Sequence, residues 1–278
     1  MKRFSKLIAL ALSVVMILAL ASACGGGNDT GNGEQGASGV QAIKDRGVLR
    51  VGVKTDVPGF GLLDTATNAY SGIEIDLSKK IAAELGIDNV EFTPVTAATR
   101  GQLLDSGDID MVAATFTIKP DRLETWNFTT PYYTDAVSLL VKKAAGINGV
   151  ADLAGKKVGV STGSTSMAAL IESARGSGVE LTEENFSEFA TYPEIKAALD
   201  SGRVDAFCVD GSILAGYLDD TTVILESVRF SPQDYGIATK KDNTEWANYL
   251  EELITGWLAD GTIEQMIADN GVVASFEG

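Results

Sequence analysis

The 278-residue chain has no histidine, two cysteines and six prolines, and its 38 aspartates and glutamates outnumber its 22 lysines and arginines. Without imidazole the usual base of serine and cysteine hydrolases and the commonest zinc ligand are missing, so no catalytic residue, metal site or cofactor is expected. With only two cysteines, Cys24 and Cys208, no disulfide framework is implied. Cys208, within the apolar VDAFCV, reads as a small core residue. A formal net charge of −16 disfavours nucleic acid as a partner. It also repels an anionic small ligand at long range, so a site for one needs cations of its own.

Long apolar runs are scarce as well. The one present, LIALALSVVMILALA, follows Lys2, Arg3 and Lys6 and precedes Ser22-Ala23-Cys24. That is the pattern of a secretory leader over residues 1–23, whose loss would take the net charge from −16 to −19 by removing three cations. The small residues before Cys24 resemble a lipobox, which predicts acylation of Cys24 and attachment to a membrane outside the cytoplasm without a spanning helix; an ordinary leader cut is the alternative. Residues 24–39 are glycine-rich and nearly free of apolar side chains, as in a flexible tether.

From Val40 onward, β-rich apolar runs alternate with helical patterns, which predicts an α/β protein. VLRVGVK, GIEIDLSKKIAAELG, VEFTPV, TRGQLLDSG and IDMVAAT form one series; KKVGVS, TSMAALIESARG, FSEFAT, YPEIKAALDSG and VDAFCVD form a second. The echo is literal at Leu104–Asp110 and Leu199–Asp205, LDSGDID against LDSGRVD. Two similar lobes account for it, or convergence of helix-glycine-strand junctions. SLLVKK and DYGIATKKD are predicted to cross between the lobes, giving lobe 1 as residues 40–139 plus 232–278 and lobe 2 as 140–231. The helical C-terminal stretch, with weak points at Gly256 and Gly261, is expected to return to lobe 1.

Ligands of open α/β sheets collect beyond the carboxyl ends of strands. The polar residues predicted there are Lys54, Thr55 and Asp56; Thr115 and Thr117; Thr162, Gly163, Ser164 and Thr165; and Asp210. The turn STGSTS opens a helix, so its N–H groups can seat an anion, with Ser164 or Thr165 as a simple N-cap the alternative. Arg122, just after Pro120, stands where a helix dipole opposes a cation, which calls for an anionic partner: a ligand carboxylate or Glu124. Asp210 precedes Gly211-Ser212-Ile213 and can equally be an N-cap.

Taken together, TD after the first strand, GIEIDL, LLDSGDIDMVAATFTIKPDR, FTTPYY, LAGKKVGVSTGSTS and GRVDAFCVD resemble the polar amino-acid-binding family of ABC importers. The resemblance runs from about Leu49 to Ile267. It implies the periplasmic-binding-protein-like type II fold, two α/β lobes joined by two crossing strands and shared with ionotropic glutamate receptor ligand cores. It further implies a monomer that delivers an amino acid to an ABC permease and its ATPase. By resemblance Arg122 grips the ligand α-carboxylate with Thr117, Ser164 and Thr165, and Asp210 with the Thr115 carbonyl takes the α-ammonium. Arg100 stands where basic and neutral binders often carry an aromatic wall; with Lys54 and Tyr192 it resembles the set of aspartate/glutamate binders. Asp56 stands where basic amino-acid binders hold an acid, or it pairs with Lys54. Ile73 replaces an aromatic residue usual in the family. A different polar ligand (glutamine or a basic amino acid), or a dehydratase-type enzyme on the same fold, are the alternatives. With no histidine, affinity is expected to vary little between about pH 6 and 8.

Overall fold

The computed structural model describes residues 39–272; the leader, Cys24 and the tether up to residue 38 lie outside it. The chain opens with α1 (Val40–Arg46) and β1 (Val48–Val53), then the small strands β2 (Asp56–Val57), β3 (Gly61–Asp64) and β4 (Ala69–Ser71). Next come α2 (Ile73–Leu85), β5 (Asn89–Pro94), α3 (Arg100–Ser106), β6 (Met111–Ala113), α4 (Pro120–Thr125) and β7 (Trp126–Phe128). The long β8 (Tyr133–Lys142) leads to β9 (Val158–Ser161), α5 (Ser166–Gly176), β10 (Phe186–Phe189), α6 (Tyr192–Asp200), β11 (Ala206–Asp210), α7 (Gly211–Ala215) and β12 (Thr222–Ile224). β13 (Phe230–Tyr235), β14 (Ala238–Lys240), α8 (Thr244–Ala259) and α9 (Thr262–Asp269) complete it.

Two main sheets result, ordered β5-β1-β6-β14-β7 and β10-β9-β11-β8-β12 with β13 also on β8. In each, three neighbouring strands are parallel and antiparallel strands follow. Such parallel strands are buried on both faces and read as unbroken apolar runs, as VGV of β1 and FCV of β11 do. α2 turns Leu77, Ile81 and Leu85 to the core at four-residue spacing and stops at Gly86, whose φ is 74°.

The expected crossing at SLLVKK is misplaced. Residues 133–142 form one apolar strand wholly inside the second sheet, paired with β11, β12 and β13, so a boundary at 139/140 would cut it in half. The chain passes between sheets at residues 129–132 and 236–237, where the strand pairing changes. α8 carries Trp246, Leu250, Ile254 and Trp257 on one face and packs on β7 and β14 of the first sheet. Gly256 lies within α8 without breaking it, while Gly261, at φ 82°, separates α8 from α9.

The repeated LDSG junctions are equivalent in detail. Asp110 accepts a hydrogen bond from Arg50 N at 2.9 Å and returns its own N–H to Arg50 O. Asp205 does the same with Lys157, its carboxylate accepting from the backbone N–H at 2.9 Å. Each aspartate pins the start of one strand to its neighbour, which fixes the register that brings the strand ends to a common edge.

Candidate functional site

The cationic side of the site is built at the ends of β1 and β6. Arg100, the first residue of α3, is 3% exposed, and its Nη1 donates to Ala114 O at 2.6 Å and Thr115 O at 3.0 Å. Its guanidinium lies 4.0 Å from the centre of the Phe116 ring. Arg122, held in α4 by Pro120, also stacks on Phe116 at 4.8 Å and donates to Thr117 O at 2.8 Å. Neither guanidinium forms an ion pair with a carboxylate among the described residues. Carbonyl oxygens and a ring face leave the charge uncancelled; cation–π contact contributes about 0.5–2 kcal/mol. Burial and Arg100 push Arg122 down to about 10, so it stays charged at neutral pH. Thr115, whose carbonyl Arg100 holds, sits at φ 44°, an uncommon conformation for a β-branched residue and one found at functional sites.

Lys54, 1% exposed, is differently placed: its Nζ pairs with Asp56 at 3.0 Å and lies 4.5 Å from the centre of the Tyr192 ring. Asp56 therefore answers Lys54, and its Oδ2 also accepts from Tyr192 N at 3.1 Å. Burial lowers the Lys54 pKa.

Opposite, Asp210 ends β11 and is 5% exposed. It occupies the N-cap position of α7 but makes no capping bond; its Oδ2 accepts from Tyr235 Oη at 2.5 Å, and its Oδ1 is buried with no hydrogen-bond partner. A buried acceptor without a donor is costly, so the carboxylate needs a cation or a proton. Burial and the nearby Asp135 push Asp210 up to about 7. Arg122 and Asp210 feel each other's charge, and Arg100 acts on Asp210 as well.

The lobes meet around these groups. Thr117 Oγ1 and Thr165 Oγ1 both donate to Gln233 Oε1, at 2.9 and 2.8 Å, while Gln233 Nε2 donates to Ser231 O at 2.7 Å, which fixes the orientation of the amide. The two threonine hydroxyls thus serve as pins of a brace across the cleft. Tyr217 Oη donates to Asp56 O, and Arg122 Nη2 reaches Gly163 O at 3.4 Å. Ser164 Oγ meets Ser166 N at 3.4 Å, a weak contact, and Thr165 makes no side-chain cap. Gly163 is required here: a Cβ would come within 2.9 Å of Ala98 Cα on the facing lobe, and its φ is 76°. Of the ten predicted residues, Lys54, Asp56 and Tyr192 are brought together, as are Arg100 with Thr115 and Arg122 with Thr117, while Thr117 and Thr165 meet at Gln233; Asp210 stands at the end of β11 within reach of the arginines' fields, and Ser164 makes only its local contact.

The sequence and the fold have counterparts. The model of the bacterial extracellular solute-binding proteins, family 3, matches residues 49–270. The chain belongs to that family. Among its relatives, the ABC transporter glutamine-binding protein GlnH of Bacillus subtilis is 34% identical, over 94% of this chain and 95% of that protein. The glutamate-binding protein GluB of Corynebacterium efficiens is 29% identical, over 97% of this chain and 92% of that one. An ancestral arginine-binding protein solved with arginine is 34% identical, with a TM-score of 0.71 over 81% of this chain and 98% of that chain. The family 3 chain described here is thus an extracytoplasmic amino-acid-binding component of ABC transport with the two-lobed type II fold.

Several residues of this family 3 site escape sequence reasoning. Glu74 is fully buried in α2; its Oε1 accepts from Tyr132 Oη at 2.5 Å and from Thr115 N, and its Oε2 has no partner. Burial raises its pKa. Phe116, Gln233, Tyr235 and Asp135 were equally hidden. The one available signal was that Glu74 lies between Ile73 and Ile75, beside the apolar face of α2, where a buried charge must be paired. Burial and Asp135 raise Asp210 into the range between pH 6 and 8, which replaces the flat response expected from the lack of histidine with a predicted dependence on pH.

Proposed function

We propose that the ligand is a dicarboxylic amino acid, glutamate or aspartate. The observation that carries this is the Arg100 guanidinium, buried beside Arg122 with Glu74 and Asp210 acting on it only at a distance and no carboxylate among the described residues within ion-pair reach. Burying a charge without a counter-ion is strongly unfavourable, and a ligand side-chain carboxylate supplies the counter-ion. Arg122 takes the α-carboxylate, and Asp210, with its free Oδ1, takes the α-ammonium. Because one charge belongs to each lobe, the bound zwitterion stabilises the closed form by hinge motion at 129–132 and 236–237.

In this reading the protein is not an enzyme: it presents the loaded, closed form to a permease, and acylated Cys24 holds it at the membrane surface. Isothermal titration with glutamate, aspartate, glutamine and arginine tests the ligand. Micromolar binding of an acidic amino acid with at least tenfold preference over glutamine is expected, and preference for arginine refutes it. Glutamine is a second reading, favoured by Glu74: its buried Oε2 could accept from a carboxamide N–H, and the relative GlnH is named for glutamine. Loss of uptake of labelled glutamate in cells deleted for the protein checks the transport role, and loss of membrane attachment in Cys24→Ala checks the anchor.

A further inference from the structure

Asp135 is a second carboxylate behind Asp210 that plays no part in gripping the ligand. It sits on β8, fully buried, with Oδ1 accepting from Ala136 N at 2.7 Å and Oδ2 accepting from Ser212 N at 3.0 Å and from Ser212 Oγ. Arg229 Nη1 lies 3.6 Å from Oδ1. Asp210 has a single donor, Tyr235 Oη, which is 2.5 Å from Asp210 Oδ2 and 3.5 Å from Asp135 Oδ2. One phenol thus stands between two buried acids, and the donors are distributed unequally. Asp135 has backbone and hydroxyl donors and a guanidinium; Asp210 has the phenol and a bare oxygen. Two such carboxylates resist being ionised together.

We infer that Asp135 is a positioning residue of the ammonium subsite, keeping a proton on Asp210 until the amino acid arrives, so that capture of each ligand molecule expels a proton from the second lobe. The inference rests on the assignment of Asp210 to the α-ammonium. On binding, the Asp210 O–H bond breaks, the proton passes to water, and the carboxylate accepts an N–H of the incoming ammonium, so charge in the subsite is conserved. The other groups around Asp210 are Tyr133 on β8, Tyr192 on α6, Cys208 on β11, Arg100 on α3 and Arg122 on α4. The three neutral groups are held protonated by burial, and both arginines remain cations, so none of them exchanges a proton near neutral pH. Burial raises Asp135 as well as Asp210, so the two acids titrate as a pair, and the donors on Asp135 against the bare Oδ1 of Asp210 put the shared proton on Asp210.

The test is calorimetric titration of the whole protein with glutamate at pH 6.5, in buffers of low and high ionisation heat. Wild type should release about three-quarters of a proton per ligand at pH 6.5 and almost none at pH 8.5. Asp135→Asn should bring the release at pH 6.5 below about a quarter and move the midpoint down by roughly a unit or more. Tyr235→Phe, which strips the last donor from Asp210, should move the midpoint up. If Asp135→Asn does not fold, the wild-type release and the upward shift in Tyr235→Phe decide the matter. No release by wild type at pH 6.5, with Asp210→Asn abolishing binding, overturns the inference and leaves the ammonium assignment intact. Undiminished binding by Asp210→Asn overturns the assignment itself.

Discussion

The two faces of the cleft hold their charges by opposite means. On the first lobe Arg100 and Arg122 are held by carbonyl oxygens and the Phe116 ring, partners that orient a cation without neutralising it. On the second, Asp210 is backed by another acid and served by one phenol. A guanidinium keeps its charge through burial because its starting pKa is far above neutrality, whereas a carboxyl raised by burial lands close to it. The two guanidiniums should therefore be indifferent to physiological pH and Asp210 sensitive.

The largest effect expected from breaking this contrast is at Arg122. Arg122→Ala should weaken glutamate binding by about 2–5 kcal/mol, the range for truncating one partner of a buried charge pair, as read by titration calorimetry. Gly163→Ala comes next, since a methyl must displace the backbone at Ala98 or hold the lobes apart. Small-angle scattering should show that variant more open in saturating ligand, with affinity down by about tenfold or more. For pH the sign is set by Asp210. The ligand ammonium needs the ionised carboxylate, so protonation competes with binding as pH falls through about 7. Affinity at pH 6 should be about tenfold below that at pH 8, or roughly 1.4 kcal/mol. Phe116→Leu should cost about 0.5–2 kcal/mol of affinity at every pH, because it touches only the cationic face. Tyr217→Phe should be the mildest: one lost hydrogen bond to Asp56 O, about 1 kcal/mol, appearing as faster ligand release.

What could be read before folding was the part that depends on one residue's chemistry and its place after a strand. The positions of Arg122 after a helix-starting proline and of Asp210 at the end of VDAFCV are such cases, and the LDSG repeat marked matching junctions in the two lobes. What could not be read depends on which side chains meet from distant segments. That Gln233, over 60 residues from either, accepts from both Thr117 and Thr165 is such a meeting, whereas the pairing of Asp56 with Lys54 at 3.0 Å was one of the two readings open for Asp56. Asp135 is the strongest example: nothing in TDAVSLL distinguishes a carboxylate that faces solvent from one that faces another acid. The crossing point was misread for a related reason, since the lysines of SLLVKK mark where a strand reaches the surface and not where it changes sheet.

The bridge between Arg122 and Asp210 is tested most directly by titrating glutarate, which is glutamate without its α-amino group, against wild type and Asp210→Asn. Wild type should bind glutarate far more weakly than glutamate, by roughly two orders of magnitude for a lost buried charge partner, and in Asp210→Asn that gap should close. A gap of the same size in both proteins would mean that the ammonium is held elsewhere and that Asp210 is not its partner.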